Sequence, residues 1–290
     1  MRLRRPRPTA ALAVLVAASA LTALTGLPIA ATDAPGRPTA LPPPTRIAGA
    51  DRYEQAAAVS RRGFAGSDTV YLASGERFPD ALSTAAVAGR HGAPLLLTAA
   101  TALPPATATE IVRRRPSLVV AVGGELSIAD DVLEQVSRLI GGVTVLRLGG
   151  VDRYEASRTL VGEPTVGLPD AEVLVVATGA TFPDALAAAP TAVRAGTAVL
   201  LVDGTAPAAA PAERTLLDAL GVSGVRVACG PASVGPALEA DLRRDRRVTR
   251  YDGPDRYAVA IALNADLPSV RTAYLASGES FPDALSGAPL

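Results

Sequence analysis

Short apolar runs and segments of helical period alternate along most of this chain. Val70 to Ala73, Pro94 to Leu97, Leu118 to Val122 and Val143 to Leu148 are nearly continuous apolar runs, the pattern expected of strands buried on both faces of a parallel sheet. Between them, Arg52 to Arg61, Pro79 to Gly89, Pro105 to Arg114 and Ala129 to Leu139 read as helices. The order returns further on, with strands predicted at Val173 to Ala177, Ala198 to Val202 and Val225 to Ala228 and comparable helical stretches between them. Strand and helix in regular alternation predict an α/β fold with one open parallel sheet per unit.

The pattern repeats because the sequence does. Asp-Arg-Tyr occurs at Asp51-Arg52-Tyr53, Asp152-Arg153-Tyr154 and Asp255-Arg256-Tyr257, and each copy is followed by Phe-Pro-Asp-Ala-Leu starting at Phe78, Phe182 and Phe281. A unit of domain size has therefore been duplicated. The resulting layout is a signal peptide at 1–31, a Pro/Ala-rich linker at 32–45, a first module at 46–146, a second at 147–250 and a partial third at 251–290. One polar signature in several copies suits a multivalent binding surface better than a catalytic centre, which is usually built once per chain.

Composition then removes whole classes of chemistry. The chain has 290 residues, 49% of them hydrophobic, with a single His, a single Cys and no Lys or Trp. Without Lys there is no phosphate-loop lysine and no Schiff base, and one His cannot make a His-Glu-x-x-His zinc helix. Cys229 alone makes neither an internal disulfide nor a cysteine metal cluster. At the start, Arg2, Arg4, Arg5 and Arg7 precede an apolar stretch and then small residues, as in a cleaved secretory signal; an uncleaved anchor is the competing reading. Cleavage would remove four of the 28 basic residues and none of the 28 acids, leaving a formal charge of −4. A mildly acidic chain is a poor match for nucleic acid, and no cofactor, metal or membrane partner is expected of the mature protein.

Two repeated motifs carry the candidate site. Asp51, Asp152 and Asp255 stand just before helical segments, where a carboxylate accepts orphaned amides, and Glu54 and Glu155 follow at capping-box spacing. Arg52, Arg153 and Arg256 oppose the helix dipole there and so call for a partner: a carboxylate in the next unit, or an anionic ligand. The second motif comprises Ser74, Gly75, Phe78 and Asp80, then Thr178, Gly179, Phe182 and Asp184, then Ser277, Gly278, Phe281 and Asp283. It follows a strand at its carboxyl end, where open α/β sheets place ligands. It also suits a plain strand-to-helix turn with Phe as a packing plug. Gly123-Gly124 lacks the third glycine of a dinucleotide loop. Cys229-Gly230-Pro231 takes the same slot, with Cys229 read as replacing Val122, and His91 reads as a surface residue.

The linked runs Arg46 to Tyr53, Tyr71 to Glu76, Phe78 to Leu82, Ala93 to Thr98 and Val122-Gly123-Gly124 resemble the cell wall-binding repeat 2 family over roughly Arg46 to Leu290. The resemblance implies Rossmann-like modules around a pseudo-threefold axis in secreted Gram-positive surface proteins. It also implies non-covalent attachment to anionic wall polymers, such as teichoic-acid-like or secondary polysaccharides. The family's apolar triplet maps onto Leu95-Leu96-Leu97 and Val199-Leu200-Leu201, which by their own pattern read as buried strand. Chain and family differ in the second unit's turn, in irregular sequence from Thr159 to Pro169, and in the incomplete third unit. The expectation is a non-catalytic wall-binding protein. The rivals are a surface scaffold whose repeats bind another protein or that self-associates through the third module, or a hydrolase using Glu76 and Asp80.

Overall fold

The computed structural model describes residues 43–168, 170–265, 267 and 270–290; the expected signal peptide lies outside them. Residues 46–290 form one compact unit. In its first part β1 (Thr69–Ser74), β2 (Leu95–Thr98), β3 (Leu118–Val122) and β4 (Thr144–Leu148) make a parallel sheet in the order β2-β1-β3-β4. A second sheet repeats this with β5 (Val173–Thr178), β6 (Val199–Val202), β7 (Gly224–Ala228) and β8 (Arg247–Tyr251) in the order β6-β5-β7-β8. These are tandem Rossmann-like modules. The central strands are buried almost throughout, which is why they read as continuous apolar runs.

Strand β8 is not foretold by that pattern. Arg247-Val248-Thr249-Arg250-Tyr251 has few apolar residues, and this edge strand is only partly buried, whereas β6 at the opposite edge of the same sheet is buried throughout. Strand β4 likewise crosses from residue 146 into 147–148, so the first sheet takes its last two residues from the start of the next repeat.

Helices α1 (Arg52–Gly63), α2 (Pro79–Arg90), α3 (Pro105–Arg114) and α4 (Asp130–Leu139) belong to the first module. The second contributes α5 (Arg153–Gly162), α6 (Pro183–Arg194), α7 (Pro211–Ala219) and α8 (Pro236–Leu242), and the third α9 (Arg256–Ala265) and α10 (Phe281–Gly287). The helices α2, α6 and α10, one per module, pack against one another. Their contact faces are small: Ala81, Ala85 and Ala88 on α2 and Ala185, Ala188 and Ala192 on α6 are fully buried. A Cβ on Gly89 would stand 2.5 Å from Val193 Cγ2, so close approach of the backbones depends on that glycine. Around this centre the modules interlock in a cycle, with α5 on α2, α9 on α6 and α1 on α10.

The irregular stretch after α5 has a structural role. Tyr71, buried in β1, donates its hydroxyl to the Val166 carbonyl at 2.6 Å, and His91 Nε2 lies 2.8 Å from the Gly167 carbonyl. His91 is at the surface as expected, but it ties the second module to the first.

Candidate functional site

Each Asp-Arg-Tyr begins a helix, and its chemistry explains the first residue at once. Asp51, in extended backbone, accepts from the amides of Tyr53 and Glu54; Asp152 and Asp255 do the same for Tyr154 and Glu155 and for Tyr257 and Ala258. The expected capping box needs correction. Glu54 accepts from the Ala50 amide at 2.9 Å and Glu155 from Val151 at 2.6 Å, one residue before the cap. The chain passes close over Gly49, where a Cβ would lie 2.2 Å from the Gln55 nitrogen, and over Gly150, where one would lie 2.5 Å from the Ala156 nitrogen.

The arginines are anchored by carbonyls and rings, and among the described residues no carboxylate of another module pairs with them within ion-pair distance. Arg52 donates to the Gly75 carbonyl, Arg153 to Gly179 at 2.6 Å and Arg256 to Gly278. Thus the two motifs of one module are tied together. The glycine is required because the Tyr ring and Arg stem lie against it: a Cβ on Gly75 would come within 2.8 Å of the Tyr53 ring, and Gly179 and Gly278 repeat this at 2.7 Å. Each guanidinium then crosses to another module. Arg153 lies 6.0 Å from the Phe78 ring centroid, Arg256 5.7 Å from Phe182 and Arg52 6.0 Å from Phe281, at the outer edge of cation–π range.

The three phenylalanines meet at the pseudo-threefold axis, with ring centroids 5.8, 5.9 and 6.0 Å apart in edge-on or tilted pairs, the arrangement aromatic quadrupoles prefer. Asp80 and Asp184 stand in the next turn. Ser127 donates to Asp80 at 2.6 Å and Ser233 hydrogen-bonds Asp184. Burial raises both carboxyls above their ordinary value, opposed by those serines and by Arg153 and Arg256 of the following module. Asp283 is exposed. Motif residues from different modules thus come together on one axis.

Other candidates lie below the surface. Ser74 is fully buried and accepts from the amides of Glu76 and Arg77, and Thr178 is 3% exposed and accepts from Ala180. Ser277 is exposed. Leu95, Leu96 and Leu97, like Val199, Leu200 and Leu201, are no more than 1% exposed, as their own pattern implies. Glu76, one half of the proposed hydrolase pair, accepts from the Ala100 amide at 3.2 Å, while Asp80 is engaged by Ser127.

The register also corrects the placing of Cys229. Val173 pairs with Gly224 as Thr69 pairs with Leu118, so Cys229 corresponds to Gly123 rather than Val122. Gly123 has φ +124° and a Cβ there would lie 2.7 Å from Asp80. Cys229 avoids that conformation, and burial pushes its thiol up to about 12.

A third repeated device was missed from sequence. Arg147 donates to the carbonyls of Gly123 and Ile128 and to Asp130, and Arg250 to those of Cys229 and Val234 and to Glu239. Each arginine lies on the last strand of a sheet and grips the loop after β3 or β7. Its signal was available: an Arg five residues before each Asp-Arg-Tyr, at Arg46, Arg147 and Arg250.

Among the described residues no helix is long and apolar enough to cross a membrane. Comparison with known proteins agrees with this architecture. Over 84% of the chain, the structures of Cwp6 and Cwp8 from Clostridium difficile superpose with TM-scores of 0.73 and 0.72 at 22% and 24% identity, the matches covering 39% and 42% of those chains. In sequence, it is 27% identical to the N-acetylmuramoyl-L-alanine amidase LytC of Bacillus subtilis (strain 168) over 246 residues, and 30% identical to the amidase enhancer of the same organism over 247. The chain spans 47% and 33% of those curated relatives. The profile of the family described as Cell wall binding domain 2 (CWB2) matches residues 46–133 and 147–239. Those two stretches make up more than half of the sequence and take in the first three strands of each sheet, β1 to β3 and β5 to β7, and the chain belongs to the Cell wall binding domain 2 family.

Proposed function

We propose that this chain is a secreted, non-catalytic protein that attaches non-covalently to anionic polymers of a Gram-positive cell wall. Its family supports wall binding, and the ring of Arg52, Arg153 and Arg256 around the phenylalanine axis supports an acidic ligand. Each guanidinium has five N–H donors and, among the described residues, one hydrogen bond, to a glycine carbonyl, which leaves it donors for phosphate or carboxylate. A mature charge of −4 makes binding depend on this local cluster and not on a basic surface. The relatives named as an amidase and an amidase enhancer suggest an anchoring role beside wall-cleaving activity. Glu76 and Asp80 are both engaged within the fold, which weighs against the hydrolase reading.

Sedimentation with purified walls tests the proposal. The protein is expected to pellet with intact walls and to stay in solution after acid extraction of the secondary polymers. Retention unchanged on extracted walls would contradict a polymer ligand. Replacing all three arginines by Gln is expected to weaken retention at least about tenfold, the scale of losing one or more charge-assisted hydrogen bonds, with a thermal melt reporting that the fold survives.

A further inference from the structure

The carboxyl ends of α1 and α3, which pack on each other, carry a charge imbalance that the fold does not require. Arg61 on α1 and Arg113 on α3 both pair with Glu110, whose carboxylate is fully buried; Arg113 makes two bonds of 2.7 Å and Arg61 stands at 3.7 Å. Arg114 donates to the Phe64 carbonyl at 2.8 Å, and its Nε is buried with no hydrogen-bond partner among the described residues. Arg115 follows, exposed, and its side chain makes no hydrogen bond or ion pair among those residues. Four guanidiniums thus gather around one carboxylate, and every contact named lies inside the first module.

Cations at helix carboxyl ends offset the dipole, but the second module does without them. Its register is fixed by Ser223, whose amide bonds to the Glu172 carbonyl as that of Ser117 does to Asp68. Gly162, Ala219, Leu220 and Gly221 then stand where the first module has Arg61, Arg113, Arg114 and Arg115, and Leu216 stands for Glu110. Neither α5 nor α7 has a basic residue in its last turn, yet the two pack on each other as α1 and α3 do. Arg115 goes further still. Among the described residues it is the one non-glycine of positive φ, at 51° where Gly221 has 69°. A side chain strains the backbone there, and glycine is the usual residue at such a helix end. Packing alone does not account for a strained, exposed and unpaired arginine beside three others.

We infer that this end of the α1–α3 pair is a second oxyanion-binding surface, which takes closely spaced phosphate groups of a polyanion. Glu110 holds Arg61 and Arg113 in place while both stay about half exposed, and guanidinium forks match phosphate oxygens. Arg61 comes nine residues after Arg52, about 13 Å along α1, so one extended strand reaches both the axial arginines and this surface and gains from two linked contacts. That the strand is the wall polymer rests on the function proposed above.

The probe is short linear inorganic polyphosphate, titrated calorimetrically into the full chain at several salt concentrations. Arg115→Gly relieves the backbone as it removes the charge. Its melting temperature should therefore rise, while polyphosphate affinity falls about tenfold and the salt dependence of binding drops by about one charge. Arg61→Gln should also weaken binding. The chain with Arg52, Arg153 and Arg256 all replaced by Gln should keep the part of the binding that Arg115→Gly removes. Equal binding by the parent, Arg115→Gly and Arg61→Gln chains overturns the inference, as does complete loss of binding in the axial triple variant. Sedimentation with walls separates the two readings: a parent chain that pellets with walls but binds no polyphosphate overturns this surface and leaves the axial one standing. Polyphosphate binding that depends on Arg115, in a chain that walls do not retain, upholds this surface and overturns the polymer reading alone.

Discussion

Truncating Phe78 to Ala removes one of three rings at the axis and takes away two aromatic contacts together with the seat of Arg153. The expected cost is about 3 kcal/mol in urea unfolding, with Phe182→Ala close to it because the environments match. Glu110 gives a pH-dependent contrast. It is fully buried, and burial alone would raise its carboxyl, but two hydrogen bonds from Arg113 at 2.7 Å and one from Ser60 at 2.6 Å outweigh this and hold it below the ordinary value. Its contribution to stability is therefore complete above the unfolded carboxylate's value and is lost as pH falls through the folded one. Glu110→Gln should remove that part of the acid dependence and cost about 2 kcal/mol at neutral pH. Asp80 has the opposite sign, because burial raises it: its contribution is complete below the unfolded value and is lost as pH rises through the folded one. Asp80→Asn should thus be within about 1 kcal/mol of neutral at pH 7, since an amide oxygen still accepts from Ser127. The buried Cys229 thiol should react with a thiol reagent only at the rate of unfolding.

Elements inside the sheets were legible in sequence because burial on both faces writes itself as continuous apolar runs. Strands β1, β3, β5 and β7 fall within a residue or so of those runs. Edge strand β8 was not legible, since Arg247 and Thr249 at its exposed positions and the half-buried Arg250 break the run. Nor could sequence say which module's phenylalanine each arginine meets, because that depends on the order in which the units close around the axis and not on any local spacing. The carbonyl partners of Arg52, Arg153 and Arg256 were hidden for a related reason: backbone acceptors leave no mark in composition. The turn after α5 is the element where the two modules' sequences diverge most visibly, and there the divergence is functional packing. Tyr71→Phe should leave the Val166 carbonyl without its donor and cost about 1 kcal/mol, read from the unfolding midpoint at constant slope.

Across the whole molecule, stability is expected to be graded. Amides of β1 and β5 should exchange only through global unfolding, while those at 270–277, where Val270, Tyr274 and Leu275 are exposed, should exchange within seconds to minutes, as expected of unpaired backbone. The interlocked helices carry a further expectation. A fragment spanning residues 46–148 alone should lose α5 and α10 from its surface, expose the alanine face of α2, and show the dye binding of a loosely packed state.

The phenylalanine triangle also limits how such a chain can grow. Rings at mutual distances near 6 Å enclose a point that three side chains fill, and each arginine reaches a ring belonging to another repeat in one closed circuit. A fourth tandem copy would arrive with no ring edge to meet and no guanidinium to cover its own. Duplication of this unit therefore stops paying any structural dividend at three, and diversification must proceed by changing loops on a ring of constant size or by joining one ring to another, never by lengthening the circle.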